Sequence, residues 1–204
     1  MEEKYIKDLE EIKDIMNRST RFISLSGLSG VSTGIIALIG AFAAYHTVFK
    51  KQGYLVYDAV NIDAVNVKHL LLIAVGTLVA SIVTAIFFTS IKTKMQKQTV
   101  WDVQTKRLLL HLLIPLVTGG VLCLMLLMKG FVGITLPLML IFYGLALVNG
   151  SKYTLDEIRT LGLIEIILGL VAFQFIDYGL HLWALGFGVV QIAYGIIIQL
   201  KYKL

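Results

Sequence analysis

Residues 70 to 91 read LLLIAVGTLVASIVTAIFFTSI and contain no charged side chain. At about 1.5 Å rise per residue, a helix of this length crosses a hydrocarbon core about 30 Å thick. Five more apolar stretches occur along the chain, and the fifth of the six needs its flanking residues to reach that thickness. The sequence predicts an all-α, polytopic transmembrane bundle of six helices within residues 22–204. The predicted spans are residues 22–45, 70–91, 108–128, 131–148, 161–176 and 182–200.

The basic residues alternate between the two sides of these spans. Fourteen of the 18 Lys and Arg lie before span one, between spans two and three, between spans four and five, or after span six. Because cytoplasmic segments retain positive charge, we expect a multi-pass protein of the cell (inner) membrane with both termini in the cytoplasm. The pI near 9.2 then indicates contact with anionic lipid headgroups rather than with nucleic acid.

Residues 1–21 form a charged segment that differs from the rest of the chain. Tyr5, Leu9, Ile12 and Met16 recur at helical spacing, which predicts a short amphipathic cytoplasmic helix. Its apolar stripe could cover the end of the bundle, lie in the membrane interface, bind a cytoplasmic protein partner, or mediate self-association through residues 1–18.

Glu165 is the only acidic residue well inside a predicted span. A carboxylate there is costly unless it is paired, protonated or hydrated. If spans five and six form an antiparallel hairpin, Gln191 and Tyr194 lie within about one helical turn of it, so we expect a hydrogen bond from one of them. His111 and Ser29 are predicted at a similar depth. These five residues could form one intramembrane polar cluster.

Such a cluster supports two interpretations. A buried carboxyl beside a histidine can titrate near neutral pH and form a proton or ion site. The same groups could instead only hold helices together by hydrogen bonds.

Small residues form stripes on three of the predicted helices. Such stripes allow transmembrane helices to approach closely. We expect the stripes of spans five and six to face each other. The predicted packing residues are Ser26, Gly30 and Gly34 on span one, Gly162 and Gly169 on span five, and Gly188 and Gly195 on span six.

Two short resemblances accompany these patterns. Residues 27–30, GLSG, resemble the G-x-S-G motif of rhomboid intramembrane proteases, although the serine of that family lies on a late span. Residues 143–169, YGLALVNGSKYTLDEIRTLGLIEIILG, with residues 21–35, RFISLSGLSGVSTGI, are similar to small bacterial inner-membrane proteins without an assigned activity. The second resemblance implies a bacterial inner-membrane protein and supplies no substrate or catalytic residue.

No motif for a cofactor, a metal ion or catalysis stands out. The oxygen-bearing residues between 46 and 69 lack the spacing of an EF-hand, and the single cysteine, Cys123, forms no intramolecular disulfide. We therefore expect no cofactor, no metal and no enzymatic activity. The sequence favours a membrane scaffold or regulatory component, and the alternative is a small transporter or proton-coupled carrier that uses Glu165 and His111.

Overall fold

The computed structural model describes residues 26–50, 64–95 and 103–202. The predicted amphipathic helix at residues 1–21 lies outside these ranges. Within them the chain is helical and contains no strand. Helix α1 is Gly27–Ala44, continued by a π-helical turn at Tyr45–Phe49; α2 is Ala64–Met95, α3 is Val103–Met128, α4 is Val132–Gly150 and α5 is Asp156–Gln174. Helix α6 comprises three consecutive segments, Gly179–Trp183, the π-helical Ala184–Val190 and Gln191–Lys201.

Five segments of the described residues are long and apolar enough to cross a membrane. They are Gly27–Phe49, Val65–Thr93, Thr105–Met128, Val132–Tyr153 and Ile176–Lys201. Helix α5 is not among them. It carries Glu157, Arg159 and Glu165 within its 19 residues, which lowers its apolar character.

The apolar surface is consistent with a lipid environment. Along α2, Leu72, Val83, Ile86 and Phe87 are each at least 60% exposed. Soluble monomers rarely expose an apolar surface of this extent, whereas lipid tails cover it without penalty. The helices are therefore compatible with a membrane protein.

Helices α1 and α2 pack together, α1 also packs on α6, and α4 packs on both α3 and α5. One cluster of buried side chains joins the ends of several helices near the α3–α4 turn, and it includes Val48, Leu70, Leu127, Val132 and Ile176. That turn consists of Lys129 and Gly130. Gly130 has φ 86°, a left-handed conformation that glycine adopts without steric cost.

The small-residue stripes are close-packed, but the expected pairing of spans five and six is wrong. The α6 stripe packs on α1: a Cβ placed at Gly195 would lie 2.6 Å from the backbone nitrogen of Val31. The α5 stripe packs on α4 instead, where a Cβ at Gly162 would lie 2.7 Å from the carbonyl oxygen of Gly144. The α4–α5 and α1–α6 contacts use these glycines because only a missing side chain allows such an approach.

The first turn of α5 contacts the end of α6. The helix begins at Asp156, with Leu155 at the N-cap and no side-chain hydrogen bond from that residue. Glu157 binds the far end of α6 through Lys201 and Tyr202. This contact fixes the start of α5 against the end of α6.

Candidate functional site

Glu165 lies at the junction of α4, α5 and α6. Its side chain is 0% exposed, and neither carboxylate oxygen has a hydrogen-bond partner among the described residues. A Cβ at Gly186 would lie 2.5 Å from Oε2 of Glu165 and 2.6 Å from Cδ2 of Leu140. Gly186 on α6 therefore provides the space that the carboxylate occupies, and Leu140 of α4 lies against the same position of Gly186.

The α6 backbone beside Glu165 is irregular. Gly186 and Gly188 lie in the π-helical segment Ala184–Val190, whose sequence is ALGFGVV. Short π-helical segments are rare and often occur at functional sites. Here the segment brings a residue without a side chain against the only buried carboxyl group among the described residues.

A row of aromatic rings runs beside this junction. The ring centroids of Tyr143 and Phe187 are 4.8 Å apart, and those of Phe187 and Trp183 are 4.9 Å apart. Tyr143 lies on α4 one turn from Leu140 and is close enough to interact electrostatically with Glu165. Nε1 of Trp183 is buried without a hydrogen-bond partner among the described residues. The junction thus holds an unpaired acceptor group and an unpaired donor group.

The predicted hydrogen bond from Gln191 or Tyr194 to Glu165 does not form. Oε1 of Gln191 accepts a bond from the Tyr143 hydroxyl at 3.3 Å. Tyr194 packs instead against an apolar cluster that includes Leu161 and Ile198. Sequence reasoning placed Glu165 correctly in the interior but missed Tyr143, Phe187 and Trp183. The four-residue spacing of Trp183 and Phe187 on one face of α6 was the available signal.

The other two members of the predicted polar cluster lie apart from Glu165. Nε2 of His111 is 3.0 Å from the Tyr153 hydroxyl, and the two rings stack with centroids 4.9 Å apart. The backbone oxygen of His111 accepts a bond from Nδ2 of Asn149 at 2.7 Å. His111 therefore fastens α3 to the end of α4, and no hydrogen bond joins it to Glu165.

Ser29 also makes a local contact. Its Oγ donates to the carbonyl oxygen of Ser26 at 2.6 Å, within the first turn of α1. Short serine-to-backbone bonds of this kind are common in helices. The Ser29 hydroxyl is bonded to Ser26 and the His111 ring to Tyr153, so among the described residues Ser29 and His111 do not form the Ser–His pair that a serine protease requires.

A second polar group lies at the end of the bundle where α5 begins and α6 finishes. The Glu157 carboxylate accepts bonds from Nζ of Lys201 and from the Tyr202 hydroxyl, the latter at 3.2 Å. Burial alone would raise the pKa of Glu157, but the bonds from Lys201, its own backbone and Tyr202 together hold it below the ordinary value. Burial and the neighbouring Glu157 charge raise the pKa of Tyr202.

These side chains offer no ready metal site. The described ranges contain no group of three His, Cys, Asp or Glu side chains that could hold a metal ion. Glu165 alone, with aromatic and aliphatic neighbours, lacks the several oxygen ligands that calcium or magnesium takes. The arrangement is suited to holding a proton or a single positive charge.

No family model matches this chain, and neither the curated proteins nor the solved structures with which it was compared give a match.

Proposed function

We propose that this chain is a six-span, N-in and C-in protein of the bacterial cell membrane that works as a small proton-coupled carrier, with Glu165 as its proton-binding residue. The observation that carries the proposal is the complete burial of a carboxyl group whose two oxygens have no hydrogen-bond partner among the described residues. Removing such a group from water costs several kcal/mol in the charged form, so a purely structural role would favour a neutral residue at this position.

The α5 helix fits a sixth span in this proposal. Its charged residues Asp156, Glu157 and Arg159 lie within the first four positions, where they can reach the headgroup region, and Glu165 is the one charged residue of α5 that lies deeper. The contact of Glu157 with Lys201 and Tyr202 places the start of α5 and the end of α6 at the same level. This contact supports α5 and α6 as two antiparallel spans, and six spans in total would agree with the charge distribution between the loops.

The carrier must also open. A carrier that uses Glu165 predicts a water-filled path from this residue to one surface. That expectation is wrong for this conformation, because Glu165 is completely buried. A carrier with alternating access passes through a state in which its binding residue is closed on both sides. The proposal therefore requires that the α4–α5–α6 junction opens toward one surface, and it assigns His111 no direct part in proton binding.

A carbodiimide, which reacts with protonated carboxyl groups in apolar surroundings, tests this proposal in intact membranes. Mass spectrometry of the peptide that contains Glu165 measures the labelled fraction. We expect labelling that falls between about pH 6 and 8. Glu165→Gln must abolish it, and Glu157→Gln, on the same helix but at the bundle end, must leave it unchanged. Labelling that is absent, or that stays constant over this range, would contradict the carrier function.

A scaffold or regulatory function is the second candidate, and the apolar stripe of residues 1–18 favours it. Deletion of these residues would then abolish the cellular activity while the protein still inserts in the membrane. A deletion that leaves activity intact would exclude the scaffold or regulatory function, and the carrier function would then remain as the proposal.

A further inference from the structure

We propose that the substrate of this carrier is a lipophilic organic cation, which Glu165 binds by charge and the rings of Tyr143, Phe187 and Trp183 bind by their faces. This inference rests on the proposed function and names its substrate class. The chemistry of the substrate follows from the species that can neutralise the charge of Glu165 and from the side chains around this residue.

The Glu165 carboxylate lacks a positive partner. No hydrogen bond reaches either of its oxygens from the described side chains. Three kinds of species could neutralise it: a proton, a metal ion or an organic cation. A hard metal ion is disfavoured because its other ligands would have to be several oxygens, whereas Leu140 and Gly186 offer no side-chain oxygen and the Tyr143 hydroxyl is already bonded to Gln191.

The aromatic row is suited to the third species. An organic cation within about 6 Å of a ring centroid is attracted by the negative face of the ring, and Trp gives the strongest attraction. The centroid spacings of 4.8 and 4.9 Å make Tyr143, Phe187 and Trp183 a continuous surface. The combination of one carboxylate and several rings binds alkylated or arylated cations better than strongly hydrated ammonium or metal ions.

The row also connects the buried carboxyl group to the outside of the bundle. All three rings are only partly buried, whereas Glu165 is completely buried. A lipophilic cation can therefore reach the rings from the membrane before it meets Glu165. The carboxylate must then leave its position beside Gly186, in the π-helical segment of α6.

The proton and the cation compete for the same carboxylate. When the protonated Glu165 binds the cation, its O–H bond breaks, the oxygen keeps the electron pair, and one proton is released to water. The reverse step takes up one proton and releases the cation. One positive charge thus replaces another, and the site is never left with an unpaired carboxylate.

Tetraphenylphosphonium is a suitable probe because it has a delocalised charge and four aryl faces. We would measure its binding to the full chain in detergent micelles by equilibrium dialysis, with empty micelles subtracted. We expect one cation per chain and release of one proton per cation at a pH where Glu165 is protonated. In that range the affinity should rise close to tenfold for each unit of pH, as competition with one proton requires.

Matched variants separate the contributions. Glu165→Gln should abolish binding, and Trp183→Phe should weaken it severalfold, because Phe is the poorer ring for cations. Glu157→Gln removes an acid at the bundle end and should leave binding unchanged. Each variant must keep Cys123, which is 3% exposed in the folded chain, unreactive toward maleimide as proof that it is folded.

The outcomes distinguish this inference from the function on which it rests. If carbodiimide labelling of Glu165 depends on pH but tetraphenylphosphonium does not bind, the substrate class is wrong and the carrier function stands. Binding that Glu165→Gln leaves intact would also overturn the inference. If Glu165 is not labelled at any pH, the carrier function itself fails.

Discussion

Gly195→Ala tests a close backbone contact between α1 and α6. A Cβ at this position would lie 2.6 Å from the nitrogen of Val31, 2.7 Å from the oxygen of Gly27 and 3.0 Å from the carbonyl carbon of Gly30. All three atoms are backbone atoms and cannot rotate away. Ordinary contacts of a Cβ begin at 3.4 Å, so α6 must withdraw from α1 by about 0.8 Å, the difference between 3.4 and 2.6 Å.

Withdrawal of this size disrupts the packing along the whole α1–α6 contact. Overpacking of a tight contact costs about 1–3 kcal/mol. For a chain of this size, 1 kcal/mol corresponds to about 2–4 °C in denaturation temperature, so we expect a decrease of roughly 2 to 12 °C. The assay is heating in detergent micelles with a fluorogenic maleimide, which reports unfolding when the single, buried cysteine, Cys123, becomes accessible.

Gly76→Ala is the matched control on α2. A Cβ there meets nothing within 4 Å, so we expect no loss of stability and a small gain from helix propensity. Equal denaturation temperatures for Gly195→Ala and Gly76→Ala would refute the reasoning, because α1 and α6 would then not be in backbone contact.

Two further predictions concern the contacts that fasten helix ends. Glu157→Gln should lower the denaturation temperature by a few degrees at pH 7. Folding lowers the pKa of Glu157, so the ionised carboxyl group stabilises the folded chain above its ordinary pKa, and this stabilisation is lost as the pH falls. The difference from the wild type should therefore shrink as the pH falls below about 4, and a deficit that persists unchanged at pH 3 would show that the ionised form is not responsible. Tyr153→Phe removes the hydroxyl 3.0 Å from Nε2 of His111 but keeps the ring, so thermal denaturation should show a loss of about 0.5–1.5 kcal/mol. Wild-type stability of this variant would mean that the bond between the Tyr153 hydroxyl and His111 adds nothing to the α3–α4 contact.

The positions of the helices could be predicted from sequence because membrane thickness fixes the length of an apolar stretch. Even so, α2 and α3 begin five or more residues before their predicted spans, since Ala64–Leu70 and Val103–Leu108 remain helical where they leave the apolar part. Polar residues can continue a helix, and hydropathy does not detect this.

The partners of the glycine stripes could not be predicted. A stripe such as Gly188 and Gly195 predicts that the backbone of another helix comes close, but it does not predict which helix that is. The burial of Glu165 could be predicted from its cost in lipid. The neighbours of Glu165 could not be predicted, because Gln191 and Tyr194 lie at the depth of Glu165 only if α6 is a regular α-helix with 3.6 residues per turn. The π-helical Ala184–Val190 changes the phase of α6, so that Gly186 rather than Gln191 meets the carboxylate.

The most direct test of the central claim is the infrared absorption of the protonated Glu165 carboxyl group, recorded on the full chain in lipid over a range of pH. The band is identified as the one that Glu165→Gln removes. We predict that it is present at about pH 5 and lost by about pH 9, as for a carboxyl group that exchanges its proton with one surface. A band of constant intensity over this range would contradict the account and make Glu165 a closed, permanently neutral part of the α4–α5–α6 junction.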